Sequence, residues 1–208
     1  MSDDSRTSGK DDGFDLARLQ DAKTRALAMG GEARLSRKRD AGQLNARERI
    51  DCLLDDNSFR EQGLLAVSDR HEDRARTPAD GKITGFGRID DRAVFVAADD
   101  ATIKAGAYGR VGSDKGHHAL EYAIRKGFPC INLGEAGGGR IPDIMGAVGM
   151  MHIVLPIDQP TRDRFVPYVA TIMGDCHGGP TFYAAIADIV IQVKGSVMAV
   201  TGSPVLAA

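Results

Sequence analysis

The chain has 208 residues, 42% of them hydrophobic, and a formal net charge of -2 from 27 basic and 29 acidic side chains. That is apolar material enough for one large domain or two small ones, and the near balance of charge points neither to nucleic acid nor to an anionic membrane surface. No apolar run approaches the roughly 20 residues of a membrane-spanning helix, and the opening MSDDSRTSGKDDG has no apolar signal core, so a cytoplasmic protein is expected.

In chain order, residues 1–13 are too polar to bury a core and are expected to form a disordered tail. Leu16, Leu19, Ala22, Ala26 and Met29 recur at helical spacing, which predicts an amphipathic helix over 14–39, interrupted at Gly30-Gly31. Asn45 with Glu48 three residues on is a capping box opening a short helix through Ile50 and Leu54. Residues 14–66 thus read as an N-terminal helical arm, and the charged, Pro78-containing stretch 67–81 as an exposed loop. From 82 the period changes. KITGFGRID and RAVFVAADD are strand-like runs joined at Asp90-Asp91, a hairpin. A helix follows around Leu120, Ala123 and Ile124, closed by Gly127 and Pro129. CINLGEAGGGR and FVPYVATIMGDCHGGP each read as a buried strand running into a glycine loop, and DIVIQVK and SVMAVTG as short strands. The plan over 82–208 is a repetition of β-β-α units, an α/β fold.

The stretch GDCHGGPTFYAAIAD, residues 174–188, carries the most chemistry. Cys176 and His177 are adjacent on an extended segment and project to opposite faces, so they do not form a nucleophile and base. No second histidine or carboxylate stands at ligand spacing near His177, and the three cysteines lack a C-x-x-C pair, so three reduced thiols and no metal are expected. Gly178 and Gly179 allow two readings: consecutive amides aimed at an oxyanion, or simple room for strand–helix packing. GAYGRVGSDKG likewise reads either as a flexible connector or as an anion site in which Arg110 and Lys115 flank a helix start.

Five blocks in order resemble the N-terminal half of the carboxyltransferase (beta) subunit of biotin-dependent acyl-CoA carboxylases. NARERIDCLLDDNSFRE is similar to the family's T-A-R-E-R-I opening, DGKITGFGRIDDRAVFVAADD to its first hairpin, and EAGGGRIPD to its S-G-G-A-R-I-Q-E loop. MGDCHGGPTFYAAIADIVIQVKGSVMAVTGS is similar to its M-G-x-C-x-G-G segment with the V-T-G that follows. The resemblance implies a crotonase-like (ClpP/crotonase) spiral over 82–208. It implies acyl-CoA along this half, carboxylated at its α-carbon from carboxybiotin while backbone amides hold the thioester and biotin carbonyls. Carried over position by position, it implies Gly178 and Gly179 as the oxyanion peptide and Gly137, Gly138, Gly139 and Arg140 at the acyl-CoA. Ala136 and Gly139 replace the family's Ser and Ala, and Pro142-Asp143 its Gln-Glu. Biotin on a separate carrier, a biotin carboxylase and a homo-oligomer are the implied cofactor and partners. The chain is less than half as long as such a subunit, so the domain is expected to be incomplete at its C-terminus.

Three other functions fit the same residues: a biotin-linked acyl-CoA decarboxylase, a crotonase-type hydratase or isomerase, and a non-catalytic scaffold of a carboxylase complex. The hydratase needs a carboxylate beside the oxyanion hole, for which Glu135 and Asp143 are the candidates.

Overall fold

The computed structural model describes residues 15–146, 149 and 166–202; the tail expected to be disordered, 1–13, lies outside them. α1 (Leu16–Leu27) starts where the Asp15 carboxylate accepts from the Ala17 and Arg18 amides, and α2 (Glu32–Asp40) follows the Gly30-Gly31 break. The Gly30 amide donates to Thr102 Oγ1 at 3.0 Å, and a Cβ on Gly30 would lie 2.1 Å from the Thr102 carbonyl oxygen. Only glycine allows that approach. α3 (Ala46–Leu53) opens with the expected capping box: Asn45 Oδ1 accepts from the Glu48 amide and Glu48 Oε2 from the Asn45 amide.

β1 (Arg60–Gln62) pairs with β2 (Lys82–Ile89), so the stretch expected as a helical arm also contributes a strand. β2 and β3 (Arg92–Asp99) form the expected hairpin, turning at Asp90 (φ 49°) and Asp91 (φ 61°). Aspartate tolerates this left-handed backbone, and both turn amides are satisfied by the Asp55 carboxylate at 3.0 and 2.9 Å. α4 (Arg110–Lys126) closes at Gly127 (φ 74°), as expected. Then follow β4 (Cys130–Ala136), α5 (Ile141–Ile144), β5 (Tyr168–His177), α6 (Gly179–Ile186), β6 (Ile189–Gln192) and β7 (Val197–Ala199).

The sheet runs β1-β2-β3-β4-β5-β6, antiparallel up to β3 and parallel beyond it. β6 pairs with the first half of β5 and β7 with its last three residues. Side chains alternate along β3. Phe95 and Ala97 pack with Leu120, Ala123 and Tyr183 of α4 and α6, while Val94, Val96 and Ala98 pack with Ile50 of α3, with Leu54 just after it and with Met29 in the turn after α1. Helices therefore cover both faces, and the parallel strands all deliver their carboxyl ends to one edge of the sandwich. The hairpin's open end is closed by a buried ion pair, Lys82 Nζ to Asp99 Oδ1 at 2.6 Å.

Candidate active site

Two glycine loops meet at the carboxyl ends of neighbouring parallel strands, the usual place for a ligand in such sheets. β4 runs into Gly137, Gly138 and Gly139; β5 runs into Gly178 and Gly179, with Ala136 opposite Cys176 just before both. Gly138 (φ 107°) and Gly178 (φ 67°) are left-handed, and a Cβ on Gly178 would sit 3.6 Å from Gly138 Cα. The loops touch backbone to backbone.

The amides of these loops divide into used and unused. Gly137 donates to Ala105 O at 2.9 Å, Arg140 to Tyr108 O at 2.8 Å, and Gly178 to Ala199 O at 3.2 Å. The last bond corrects the expectation that Gly178 and Gly179 act as a pair, because Gly178 extends the β5–β7 ladder instead. The amides of Gly138, Gly139 and Gly179 have no acceptor among the described residues. Gly179 begins α6 and Pro180 follows it, so the first-turn donors and the positive end of the helix lie beside the β4 loop.

Tyr108 joins the two loops. Its amide donates to Gly138 O at 2.8 Å while its carbonyl accepts the Arg140 amide. Its ring occupies the space a Gly179 Cβ would need, with Cε2 2.6 Å from that position. A side chain at Gly179 would therefore strike Tyr108 rather than an open cleft. The Tyr108 hydroxyl donates to Asp99 Oδ2 at 3.1 Å, and Lys82 Nζ lies 4.2 Å over its ring. Burial and the Asp99 charge hold this phenol protonated, well above the usual range.

The other expected binding residues have structural partners. Arg140 is 5% exposed and donates to Asp80 Oδ1 at 2.9 Å. Lys115 Nζ donates to the carbonyls of Ala79 at 2.7 Å and Gly63 at 3.2 Å, and burial pulls its pKa down to about 8. Arg110, half exposed, faces Asp69 at 3.3 Å and Asp114 at 3.9 Å. Cys176 is fully buried and burial pushes its pKa up to about 12, which withholds the thiolate a nucleophile needs.

A cationic cleft of about 360 Å³ lies instead between α2 and the loop after β3, lined by Arg34, Arg37, Lys38, Thr102, Lys104 and Ala105. Lys38 pairs with Glu135, and Lys104 with Asp73 at 2.8 Å; among the described residues Arg34 and Arg37 meet no carboxylate. Arg34 Nη1 donates to Thr102 O at 3.0 Å, which aims its guanidinium along the cleft wall. One backbone bond links the cleft's lining to the β4 loop, since Ala105 O accepts the Gly137 amide at 2.9 Å. Glu135, at the end of β4, is held between Lys38 and Arg49, the latter at 2.5 Å. The residues of this cleft are about 70 positions apart in sequence and no motif announces them; the only sign was the density of Arg and Lys in RLSRKR.

The carboxyl transferase domain family matches residues 37–208. Over 192 residues the chain is 34% identical to the carboxyltransferase subunit of propionyl-CoA carboxylase from Haloferax mediterranei, covering 90% of this chain and 37% of that protein. It is 30% identical over 195 residues to the alpha subunit of methylmalonyl-CoA decarboxylase from Veillonella parvula, covering 90% of this chain and 38% of that one. The transcarboxylase 12S crystal structure with methylmalonyl-coenzyme A and methylmalonic acid bound superposes with a TM-score of 0.82 at 31% identity, over 92% of this chain and 38% of the other. The chain thus spans less than two-fifths of the length of these relatives. With the fold crotonase-like, the strand–glycine-loop pairs in register and the profile matched over most of the sequence, the chain belongs to the carboxyl transferase domain family.

Proposed function

We propose that this chain forms the acyl-CoA side of a biotin-dependent carboxyltransferase, in which a carboxyl group is transferred to the α-carbon of an acyl-CoA. The observation that carries the reading is the set of three amides, Gly138, Gly139 and Gly179, that meet no acceptor among the described residues, on touching loops one backbone bond away from a cleft whose Arg34 and Arg37 meet no carboxylate among the described residues. Loss of the α-proton turns a thioester into an enolate and moves negative charge onto its oxygen. Amide donors fixed beforehand stabilise that charge more than they stabilise the neutral carbonyl, by about 2.7–4 kcal/mol per donor. Arg34 and Arg37 suit the diphosphate of CoA. Biotin, carried on a separate protein or domain, supplies the activated carboxyl group when bound. The same amide donors fit a ureido carbonyl, so the loops are chemically suited to both reactants. A biotin carboxylase, a biotin carboxyl carrier and further copies of the chain are the partners this role requires.

The same loops serve the reverse reaction, and the decarboxylase relative keeps that second reading in view. A hydratase is disfavoured because, of its two candidate carboxylates, Glu135 is occupied by Lys38 and Arg49 and Asp143 is buried against Arg140 Nε at 3.7 Å. The test is reconstitution with a biotin carboxylase, a biotinylated carrier, ATP and labelled bicarbonate over a panel of acyl-CoA thioesters. Acid-stable label in the acyl-CoA is expected. Label that stays on the carrier with every thioester, with unlabelled carboxyacyl-CoA equally untouched, overturns the reading and leaves the scaffold.

A further inference from the structure

We propose that Tyr108 is a positioning residue, a clamp that sets the separation of the two glycine loops so that the Gly138, Gly139 and Gly179 amides act on one oxygen. The proposal rests on the reaction proposed above for its kinetic consequence, and on geometry alone for the clamp. Tyr108 grips the β4 loop through its main chain, with one bond to Gly138 O and one from the Arg140 amide, both 2.8 Å. It limits the β5 loop through its side chain, since the ring stands 2.6 Å from where a Gly179 Cβ would be. The ring itself cannot swing away. Its hydroxyl is bonded to Asp99, Lys82 lies over one face, and Tyr183 packs at 6.4 Å. Asp99 in turn binds Lys82 at 2.6 Å and accepts the Glu135 amide at 3.3 Å, two residues before the β4 loop. One buried residue, by its main chain at the β4 loop and its ring at the β5 loop, thereby references both loops to the ends of β2, β3 and β4.

Oxyanion donors depend on placement, and a displacement near 1 Å costs about 100-fold in rate. Replacing the ring by a smaller side chain removes the stop behind Gly179 while leaving the cationic cleft intact. The test compares Tyr108→Leu and Tyr108→Phe in the complete enzyme. Hydrogen exchange is expected to accelerate about tenfold in Tyr108→Leu in both 137–140 and 178–182, with β2 and β3 unchanged. The kcat for carboxyl transfer should fall about 100-fold while KM for acyl-CoA stays within about threefold, and Tyr108→Phe should recover most of the loss. Faster exchange in one loop only, or two loosened loops with unchanged kcat, overturns the proposal. Should Tyr108→Leu fail to fold, Tyr108→Phe decides: exchange at 178–182 rising about threefold supports the tether through Asp99, and unchanged exchange removes it. Loops that loosen together in a protein whose wild type transfers no carboxyl group leave the clamp standing and the proposed reaction fallen.

Discussion

The Arg140 guanidinium donates to the Asp80 carboxylate at 2.9 Å, with 5% of one side chain and 0% of the other exposed. Asp80 sits at φ 48° and also accepts the Gly112 amide at 2.7 Å, so this ion pair ties the β4 loop to the start of β2 and the first turn of α4. Burial raises the Asp80 pKa, and Arg140 opposes that rise. Arg140→Met leaves the carboxylate buried without its cation and should cost about 3–5 kcal/mol in denaturant unfolding. Adding Asp80→Asn should return part of that loss. A cost below about 1 kcal/mol would place the arginine on a ligand instead.

Arg34 and Arg37 are expected to carry the CoA phosphates. The double change to Ala should weaken CoA binding by about 10-fold or more at low salt, and by less as added salt screens the interaction. Arg110→Ala, whose cation already faces two carboxylates, should leave the affinity within about twofold. Calorimetric titration with CoA separates the two, and the opposite ranking would return the phosphates to the start of α4.

Cys176→Ala should keep turnover within about fivefold, because a thiol buried to this degree supplies no thiolate at neutral pH. Alkylation of the native protein at pH 7.5 should label the exposed Cys52 first. Loss of turnover by several orders of magnitude in the Cys176 variant would restore the nucleophile.

Alkali should unfold the protein through its thiols. Cys130 and Cys176 are raised by burial from an ordinary 9.0 to about 12, so the unfolded chain ionises first and their contribution, fully present below about pH 9, is lost as the pH climbs toward 12. Lys115 works in the other direction. Burial lowers it from 10.5 to about 8, so across that window the unfolded state holds more protons and stability rises with pH. Urea midpoints should therefore rise or hold from pH 8 to 9 and fall above it. Lys115→Met should abolish the rise, and Cys130→Ala with Cys176→Ala should move the fall to higher pH.

Much of this fold was legible because its signals are local. The Asn45–Glu48 box, the Asp90-Asp91 turn, the Gly127 close of α4 and the two strands ending in glycine each depend on residues a few positions apart. β1 was not legible: Arg60, Glu61 and Gln62 have no strand pattern, and their extended form comes from the ladder that β2 offers. The glycine loops were found, but not the bond from Gly178 to Ala199 that decides which amides remain, since β7 arrives about 20 residues later. Lys115 read as a ligand cation, and Arg140 was placed at the acyl-CoA by the resemblance, because neither a charge nor a motif in sequence gives a sign of the buried carbonyl or carboxylate each one meets. Arg34 meets Thr102 only through the tertiary contact that Gly30 permits.

That contact, together with β1, means that the N-terminal helices are stitched into the sheet at two points on either side of the stretch 67–78. Arg74 and Arg76 are exposed there, within a short helical turn. Trypsin acting briefly on the native protein should cut at one of them and yield two peptides that elute together on gel filtration, because β1 stays paired with β2 and Ile50, Leu54 and Met29 stay packed on Val94 and Val96. Denaturing electrophoresis would show the break that the native column does not. Such a nicked pair would make the N-terminal piece exchangeable in vitro, so that the cationic cleft, half on each peptide, could be assembled from separately made halves.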